Sequence, residues 1–440
     1  MRKLIIISFI IITSISCRKA NDHYKTECGN ADFLRNVENQ VTQVMVHDIF
    51  SPPVASRIYF YSSLAAYEAL VPGNPNYLSM AGQIKGLAPA PKPEAGKEYS
   101  FEIAARSAYL KIGKTLTFSA KLYDEFDKKE AEKFEKINVP NDVMERSVAF
   151  GEAIASNILE YSKKDNYKQT RGFRYTVTNE KGTWVPTPPG YMDGVEPYWS
   201  KIRPVTLDTS SQFAPAKPYS FEMKNKNSPY YKQVIEVYEA IKNLTEEQRE
   251  IANFWDCNPF KLNVTGHAMF ATKKISPGGH WMSIANQISR AKKSSMMETA
   301  EAYLLTSMSI FDGFISCWDE KYRRNMIRPE TVINSEVDKD WIPTLQTPPF
   351  PEYTSGHSVV SAASSIALTS IYGENFAFTD STEMQFGLPA RNFKSFAQAA
   401  DEASISRFYG GIHFRPALDN GLIQGQKVGK WVLAKIKTRK

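Results

Sequence analysis

Apolar residues recur at helical spacing through most of the chain. In the first half the pattern covers residues 38–70, 100–117 and 142–163, and the segment Ser51-Pro52-Pro53 interrupts the first of these. In the second half it covers 228–242, 245–256, 298–327 and 358–371, with a further helix near His280. Few stretches show the strict alternation of a half-buried strand. The pattern predicts an all-α architecture built from helical bundles.

Glycine and proline separate the two helical halves. They recur between residues 170 and 219 too often for a long helix, yet Trp184, Tyr191, Tyr198 and Trp199 lie in the same stretch. Large aromatic residues favour a packed segment over a disordered linker. We therefore expect a long loop that wraps the core. The predicted organisation is a signal peptide at 1–17, an N-terminal helical region at 18–225 that includes loop 170–219, and a C-terminal helical bundle at 226–440.

Composition and charge narrow the class of protein. The chain has 440 residues and a net charge of +7, from 54 Lys and Arg against 47 Asp and Glu, without a dense basic block. A mild, dispersed excess of this kind argues against a nucleic-acid partner. A chain of this length buries a sizeable core.

The N-terminus has the features of an export signal. Met1-Arg2-Lys3 precedes a short apolar run that ends at Ser16-Cys17, and this run is too short to span a membrane. A small residue before cysteine predicts a bacterial lipoprotein signal, with Cys17 lipidated as the mature N-terminus. Ordinary signal cleavage is the alternative. Either way we expect an exported protein, periplasmic or at the outer membrane. In the lipoprotein case its membrane contact is limited to the lipid anchor on Cys17.

The remaining cysteines and two histidines give no metal motif. Cys257 and Cys317 either form a disulfide or stay as buried free thiols, and the sequence leaves both open. The chain has no CxxC pair. No cysteine or carboxylate lies at convincing ligand spacing from His267 or His280, so the sequence predicts core or pocket-wall roles for these histidines.

Candidate chemistry concentrates in the last third of the chain. Lys321 and Arg328 are seven residues apart, which places them two turns apart on nearly one face of a helix that also carries Trp318, and Pro329 then stops that helix. On their own, two cations on one stripe are equally compatible with a solvated face.

A second piece lies at the predicted start of a helix. Ser355, Gly356 and His357 precede an apolar run, so free backbone N–H groups and the positive end of the helix dipole meet there. The simpler interpretation is a serine N-cap beside an exposed histidine.

A third piece is a predicted helix that ends with Ser406-Arg407-Phe408-Tyr409 and closes with Gly410-Gly411 before His413. Alone, His413 is compatible with an ordinary core histidine. Taken together, three cations, two histidines and a backbone turn suit a compact, multiply charged oxyanion such as phosphate.

The spacing of these pieces resembles that of the vanadium-dependent haloperoxidases and of the acid and lipid phosphatases that share their site. The shared pattern is Lys, six residues, Arg-Pro, then Pro-Ser-Gly-His, then Ser-Arg, five residues, His. Here Thr354 replaces the Pro, and the Asp that normally follows the last His by four residues is absent. Asp419 lies six residues on, which leaves the orienting partner of His413 unassigned.

Further resemblance favours the haloperoxidase branch. Trp318 and Phe350 match positions that line the vanadate pocket, and algal bromoperoxidases carry His where Phe350 stands. Segments 51–55, 182–190 and 277–281 look like those of exported bacterial haloperoxidases, above all the iodide-oxidising ones.

The resemblance implies a role for each site residue. His413 would bind the metal of vanadate, and the oxygens of vanadate would be held by Lys321, Arg328, Ser355, Gly356 and Arg407. His357 would act as the acid–base when hydrogen peroxide binds, and Lys321 would polarise the peroxide toward attack by halide. Trp318 and Phe350 would shape the halide pocket. Asp256 is a candidate partner of Arg407.

Two other functions remain open at this point. An acid phosphatase of the phosphatidic acid phosphatase type 2 class would use His413 as the nucleophile, through a phosphohistidine, and His357 as the acid. A non-catalytic oxyanion-binding lipoprotein would bind the anion without turnover. The chain has no Gly-x-Ser-x-Gly elbow, which argues against a serine hydrolase.

Overall fold

A computed structural model describes residues 23–265 and 267–440. The predicted signal peptide, with Cys17, lies outside the described residues. Seven helices form the first half: α1 His23–Cys28, α2 Asp32–His47, α3 Pro52–Leu70, α4 Phe101–Leu116, α5 Asp124–Ile137, α6 Asn141–Ser162 and α7 Tyr167–Thr170.

Eight helices form the second half, and two small antiparallel sheets accompany them. The helices are α8 Pro229–Lys242, α9 Glu246–Phe254, α10 Pro277–Ala291, α11 Met296–Arg324, α12 Pro329–Glu336, α13 Gly356–Tyr372, α14 Phe396–Tyr409 and α15 Arg415–Lys435. The strands are β1 Leu262–Thr265 with β2 Ala268–Ala271, and β3 Phe378–Asp380 with β4 Arg391–Phe393. The all-α prediction is confirmed.

Local sequence signals explain most helix boundaries. Ser51 caps α3 with Pro52 in the first turn, and Thr245 forms a capping box with Gln248 at the start of α9. Helix α5 was not predicted. Its apolar positions are sparse, and the helix-favouring Glu, Lys and Ala residues between them give little periodicity.

The end of α11 differs from the prediction. The helix stops at Arg324, where Asn325 adopts a left-handed conformation, instead of continuing to 327. Arg328 is therefore extended and precedes a new helix, and Pro329 begins that helix because its fixed φ suits the first turn. The predicted stripe of Lys321 and Arg328 on one helix is wrong. The two side chains nevertheless reach the same region from two elements.

Helix α11 lies at the centre of the molecule. It packs against α3 from the first half and against α10, α13 and α15 from the second. The rings of Phe60 and Phe311 stack with centroids 5.5 Å apart across the α3–α11 contact. One hydrophobic cluster thus includes residues of both halves, and the division of the chain at 225/226 stays a prediction.

Loop 170–219 wraps the core as predicted. Trp184 and Trp199 are fully buried. The buried carboxylate of Asp312 in α11 accepts hydrogen bonds from the backbone N–H groups of Val205 at 2.7 Å and Thr206 at 2.8 Å. These bonds attach the loop to the central helix. Among the described helices, none is both long and apolar enough to cross a bilayer.

Candidate active site

Five segments bring the predicted site residues together around one cavity. They are the C-terminal turns of α11, the residues before α12, the stretch 350–354, the start of α13, and the stretch from the end of α14 to His413. Six of the predicted residues line it: Trp318, Phe350, Gly356, His357, Arg407 and His413.

Lys321 is completely buried without a carboxylate partner. Its Nζ donates to the backbone carbonyl oxygens of Pro351 at 2.9 Å and Glu352 at 3.0 Å. Burial, assisted by the positive charge of Arg328, lowers the pKa of Lys321 to about 7. The ammonium group is thus costly to hold in the ligand-free protein, and a nearby anion would stabilise it.

Arg328, like Lys321, is a buried cation whose side chain donates to backbone carbonyl oxygens. Nε donates to the carbonyl oxygen of Phe350, and Nη1 donates to that of Ile412, both at 2.8 Å. The second terminal nitrogen, Nη2, is buried without a hydrogen-bond partner. Burial lowers the pKa of Arg328 to about 10. An unpaired guanidinium nitrogen of this kind is a donor that an oxyanion would satisfy.

Arg407 completes the set of buried cations. It donates to Ser406 Oγ at 3.0 Å and to the carbonyl oxygen of Ala252 at 3.2 Å. Burial lowers its pKa, and the nearby charge of Asp256 opposes that shift. Asp256 is hydrogen-bonded to Lys261 and Lys274. Its predicted partnership with Arg407 is therefore one of charge, without a direct hydrogen bond in the described structure.

Helix α13 begins directly after Ser355, as predicted, which provides the free backbone N–H groups and the positive dipole end that favour an anion. Ser355 caps the helix by accepting from the N–H of Ser358 at 3.3 Å, which leaves its hydroxyl proton free to donate. Gly356 lies in the first turn, and a side chain there would meet the Trp318 ring at 3.5 Å. The glycine therefore leaves room in the cavity between the indole and the backbone.

His357 extends from the same turn into the cavity, so the interpretation of an exposed histidine is wrong. Its Nε2 is buried without a hydrogen-bond partner. Burial, together with the positive charge of Arg407, holds the pKa of His357 well below its ordinary value. The ring is neutral in the ligand-free protein and has a free position for a proton or a hydrogen bond.

Glu352 is the orienting partner of His413, and the sequence analysis missed it. Its Oε1 lies 2.9 Å from His413 Nδ1 and also accepts from the N–H of Phe414 at 2.9 Å. Burial raises the pKa of Glu352 to about 7, and the charge of Arg328 opposes that rise. Asp419 is exposed on α15. A carboxylate that comes before the histidine in sequence thus takes the place of one that would follow it.

The hydrogen bonds of His413 determine its tautomer. With Nδ1–H donated to Glu352, the lone pair is on Nε2, which receives a hydrogen bond from Arg328 Nη1 at 3.1 Å. Burial and the charge of Arg328 hold the pKa of His413 well below its ordinary value. A neutral ring with its lone pair in an arginine-lined cavity is the form that binds a metal.

Trp318 and Phe350 form the aromatic wall of the cavity. Their ring centroids are 5.0 Å apart, and Trp318 Nε1 donates to the carbonyl oxygen of Val195 in the wrapping loop at 3.1 Å. Lys321 Nζ lies 5.0 Å from the centroid of the Phe350 ring. The wall is apolar on its face and cationic behind it, an arrangement that suits a polarisable anion.

The described cysteines are free thiols, and His280 has three polar neighbours. Cys28, Cys257 and Cys317 are buried and unpaired, so the disulfide alternative is wrong and the free-thiol alternative is confirmed. His267 is exposed in the turn between β1 and β2, so its predicted core or pocket-wall role is wrong. His280 is fully buried, as predicted. It contacts Cys257, Asp380 and Glu383, which no spacing in the sequence indicated.

The residues present fit a vanadate group. Three buried cations lie around the cavity without a carboxylate ion pair among the described residues. Arg328 Nη2 and His357 Nε2 have no partner, and His413 has a lone pair on Nε2. Donors and positive charge surround the cavity, and one imidazole nitrogen is suitable as a metal ligand. A tetrahedral oxyanion of a metal matches this set of groups.

Solved structures of known proteins include relatives of this chain. A bacterial vanadium-dependent iodoperoxidase of known structure is 46% identical, covers 93% of this chain and 97% of its own, and superposes with a TM-score of 0.88. A holo bacterial vanadium-dependent chloroperoxidase is 18% identical, with a TM-score of 0.66 over 88% of this chain and 93% of its own. The second comparison shows a shared fold.

A family model agrees over the part of the chain that carries the site. The model of the second helical-bundle domain of VCPO matches residues 301–439. None of the curated proteins matches the chain. Fold and site define a helical-bundle enzyme with a buried oxyanion pocket. The chain belongs to the vanadium-dependent haloperoxidases.

Proposed function

We propose that this enzyme oxidises iodide with hydrogen peroxide, using vanadate as its cofactor. The observation that carries the proposal is the oriented histidine: Glu352 fixes the tautomer of His413, and the Nε2 lone pair of His413 lies against Arg328. The 46% identical relative is an iodoperoxidase, which supports iodide as the halide.

Vanadate would be held by the residues that face the cavity or stand directly behind its wall. His413 Nε2 would ligate the metal, and the three cations would neutralise the oxygens with donors that the protein leaves free. When bound, vanadate supplies a Lewis acid that activates hydrogen peroxide toward halide without a change in its own oxidation state.

His357 manages the proton in this scheme. The net reaction combines iodide, hydrogen peroxide and one proton to give hypoiodous acid and water, so a proton must be delivered in each turnover. His357 is neutral in the ligand-free protein. An anion next to it would offset the field of Arg407 and raise its proton affinity, which suits a group that takes a proton from peroxide and later returns it.

Lys321 and the aromatic wall act on the other two reactants. The Lys321 ammonium, once an anion stabilises its charged form, would draw electron density from peroxide oxygen. Trp318 and Phe350 would exclude water from the halide approach, because their faces are apolar and tightly packed. Iodide loses less hydration energy than smaller halides in such a place.

Two assays of one preparation test the proposal. The purified protein, reconstituted with orthovanadate, is assayed for iodide oxidation by hydrogen peroxide, and the vanadate-free protein is assayed for hydrolysis of a phosphomonoester. We expect activity in the first assay and its loss, by at least ~10²-fold, in His413→Ala. Full vanadate affinity in His413→Ala would overturn the assignment of the metal ligand.

The phosphatase alternative is supported by the same histidine. A lone pair on Nε2 with a carboxylate on Nδ1 is also the arrangement of a histidine nucleophile. Hydrolysis of the phosphomonoester, without halide oxidation, would favour that alternative. Binding of vanadate with neither turnover would favour the oxyanion-binding lipoprotein.

We also propose that the mature protein is exported and tethered through lipid on Cys17. The support is the sequence at 1–17 alone. Cys17→Ser should move the protein from the membrane fraction to the soluble fraction of a bacterial host that processes lipoproteins. Retention of Cys17→Ser in the membrane fraction would contradict the anchor.

A further inference from the structure

A second group of metal-binding side chains lies in the wall of the cavity. Cys257 follows α9 and lines the cavity, and His280 lies in the first turns of α10. Asp380 ends β3, and Glu383 lies in the short 3₁₀ helix that follows. All four are at most 2% exposed. None of them has a role in the mechanism above.

The three ligand atoms are spaced as around one small cation. Cys257 Sγ lies 3.3 Å from His280 Nδ1, that nitrogen lies 3.2 Å from Glu383 Oε1, and the sulfur lies 3.9 Å from the same oxygen. With Zn–S of about 2.3 Å and Zn–N or Zn–O of about 2.0–2.2 Å, a tetrahedral zinc separates its ligand atoms by roughly 3.3–3.6 Å. The observed distances scatter around that range.

Asp380 prepares the histidine for such a role. Its Oδ2 lies 2.6 Å from His280 Nε2, and its Oδ1 accepts from the N–H of Thr382 at 2.9 Å. A carboxylate on one ring nitrogen fixes the proton there and leaves the lone pair on the other nitrogen, toward Cys257 and Glu383. This carboxylate–histidine pairing is the usual support of a zinc-ligating imidazole.

The carboxylate of Glu383 provides a second indication. Its Oε2 is buried without a hydrogen-bond partner, in a residue only 1% exposed. Leaving a carboxylate oxygen unpaired in the interior is unfavourable. The ligand distances above are to Oε1, so a cation held between the two oxygens of Glu383 would also contact Oε2 and compensate for it.

We propose that Cys257, His280 and Glu383 bind a divalent cation of the zinc type, and that Asp380 orients the histidine. Mixed sulfur, nitrogen and carboxylate ligands select zinc over magnesium or calcium. A thiolate and a carboxylate balance the two positive charges, so binding displaces the proton from the Cys257 thiol. Three protein ligands leave a fourth position for water.

A purely ionic cluster is the competing explanation. His280 would then be a charged imidazolium between Asp380 and Glu383, with Cys257 as a neutral thiol. Burial disfavours that charge, but the carboxylate of Asp380 outweighs it and raises the pKa of His280 well above its ordinary value. The two explanations differ in whether the thiol sulfur is bound to a metal.

Cobalt provides a test that is independent of peroxidase turnover. The purified full-length protein is stripped with a chelator and titrated with Co²⁺ alone, then with Zn²⁺, and metal content is measured by mass spectrometry. We expect about one metal per chain and a sulfur-to-cobalt charge-transfer band that Zn²⁺ abolishes. Absence of that band in the folded protein overturns the proposal and favours the ionic cluster.

Matched variants separate this site from adventitious binding. Cys257→Ala should lose the band and the bound metal, whereas Cys28→Ala, which removes another buried thiol, should keep both. Asp380→Asn should keep the band but weaken Co²⁺ binding by ~10–100-fold. Metal retained in full by Cys257→Ala would contradict the proposal. If Cys257→Ala fails to fold, the wild-type band decides alone.

Discussion

Two parts of the interior treat buried cations in opposite ways. In the N-terminal half, Arg57 of α3 is buried and donates to the Asp165 carboxylate at 2.6 Å, and Tyr61 donates to the same oxygen at 2.8 Å. At the cavity, Lys321 and Arg328 are buried as deeply. They have backbone carbonyl oxygens in place of a carboxylate.

The difference separates a structural charge from a binding charge. A buried ion pair is neutral as a whole, and its partners satisfy each other. A buried cation that is solvated only by carbonyl dipoles retains its net charge and attracts an anion. The arrangement lowers the pKa of Lys321 to about 7. Holding an unpaired charge in the ligand-free site is unfavourable. An anion that binds there relieves this cost, and the relief contributes to its affinity.

Replacing Arg57 and Arg328 by methionine, each in a separate variant, should give the largest difference between a structural charge and a binding charge. Arg57→Met strands the buried Asp165 and should lower the free energy of unfolding by ~3–5 kcal/mol, with vanadate affinity unchanged in the folded fraction. Arg328→Met should reduce vanadate affinity by at least ~10²-fold. Its unfolding free energy should stay within ~1.5 kcal/mol of wild type, because a shape-matched apolar group removes an unpaired charge.

Urea unfolding and vanadate titration of both variants provide the measurements. Equal destabilisation by the two substitutions would contradict the distinction. So would a loss of vanadate affinity in folded Arg57→Met.

Removing the charge from one of two carboxylates should give the next largest effect. Glu352→Gln disturbs the bond that orients His413 and should weaken vanadate binding by ~10–100-fold. Asp419→Asn is the matched control, since this exposed carboxylate lies two residues beyond the position that the family pattern requires. It should leave affinity unchanged and stability within ~0.5 kcal/mol. The reverse ranking in a vanadate titration would assign Asp419 as the partner of His413.

The depressed pKa of Lys321 makes stability depend on pH. In the unfolded chain the lysine binds its proton up to about pH 10.4, whereas in the ligand-free fold it loses it near pH 7. Between these values the unfolded state holds more protons, so stability rises with pH. The unfolding free energy of wild type minus that of Lys321→Met should rise by up to ~1.4 kcal/mol per pH unit from pH 7 to 10.

Denaturant unfolding at several pH values, without vanadate, measures this slope. Saturating vanadate should abolish it, because the bound anion keeps Lys321 protonated. A flat or falling difference in the ligand-free protein would show that the lysine stays charged in the cavity.

The aromatic wall should give the smallest effect. Phe350→Leu keeps the wall apolar but removes the ring beside Lys321, and cation–π contacts of this kind contribute ~0.5–2 kcal/mol. We expect the ratio of iodide to bromide turnover to change by less than ~10-fold, with the vanadate dissociation constant within ~3-fold of wild type. Loss of vanadate binding in Phe350→Leu would show that the wall also positions the cations.

Sequence was sufficient where chemistry is local. The start of α13 at Gly356 and the end of α14 at Tyr409 follow from a cap, a glycine pair and an apolar run, and the structure has them as predicted. The end of α11 was not predictable in this way, because Asn325 in the left-handed conformation stops the helix before the proline does.

Sequence was insufficient where distant residues converge. Glu352 and His413 are 61 positions apart, and no spacing rule joins a carboxylate to a histidine across two helices. The only indication of Glu352 in the sequence was that an acidic residue stands in an otherwise apolar segment just before Ser355. The contact of Cys257 with Glu383 spans 126 positions. Such contacts depend on how α10 and the β3–β4 hairpin pack, which the pattern does not specify.

The main chain of residues 350–352 supports two of the three cations of the anion site. The carbonyl oxygen of Phe350 receives Arg328, and those of Pro351 and Glu352 receive Lys321. A substitution changes the side chain of a residue but keeps its backbone carbonyl group. Substitutions on the halide face of this segment can therefore accumulate without displacing the cations behind it. Natural variation or laboratory selection can therefore change the halide preference while the affinity for the cofactor stays the same.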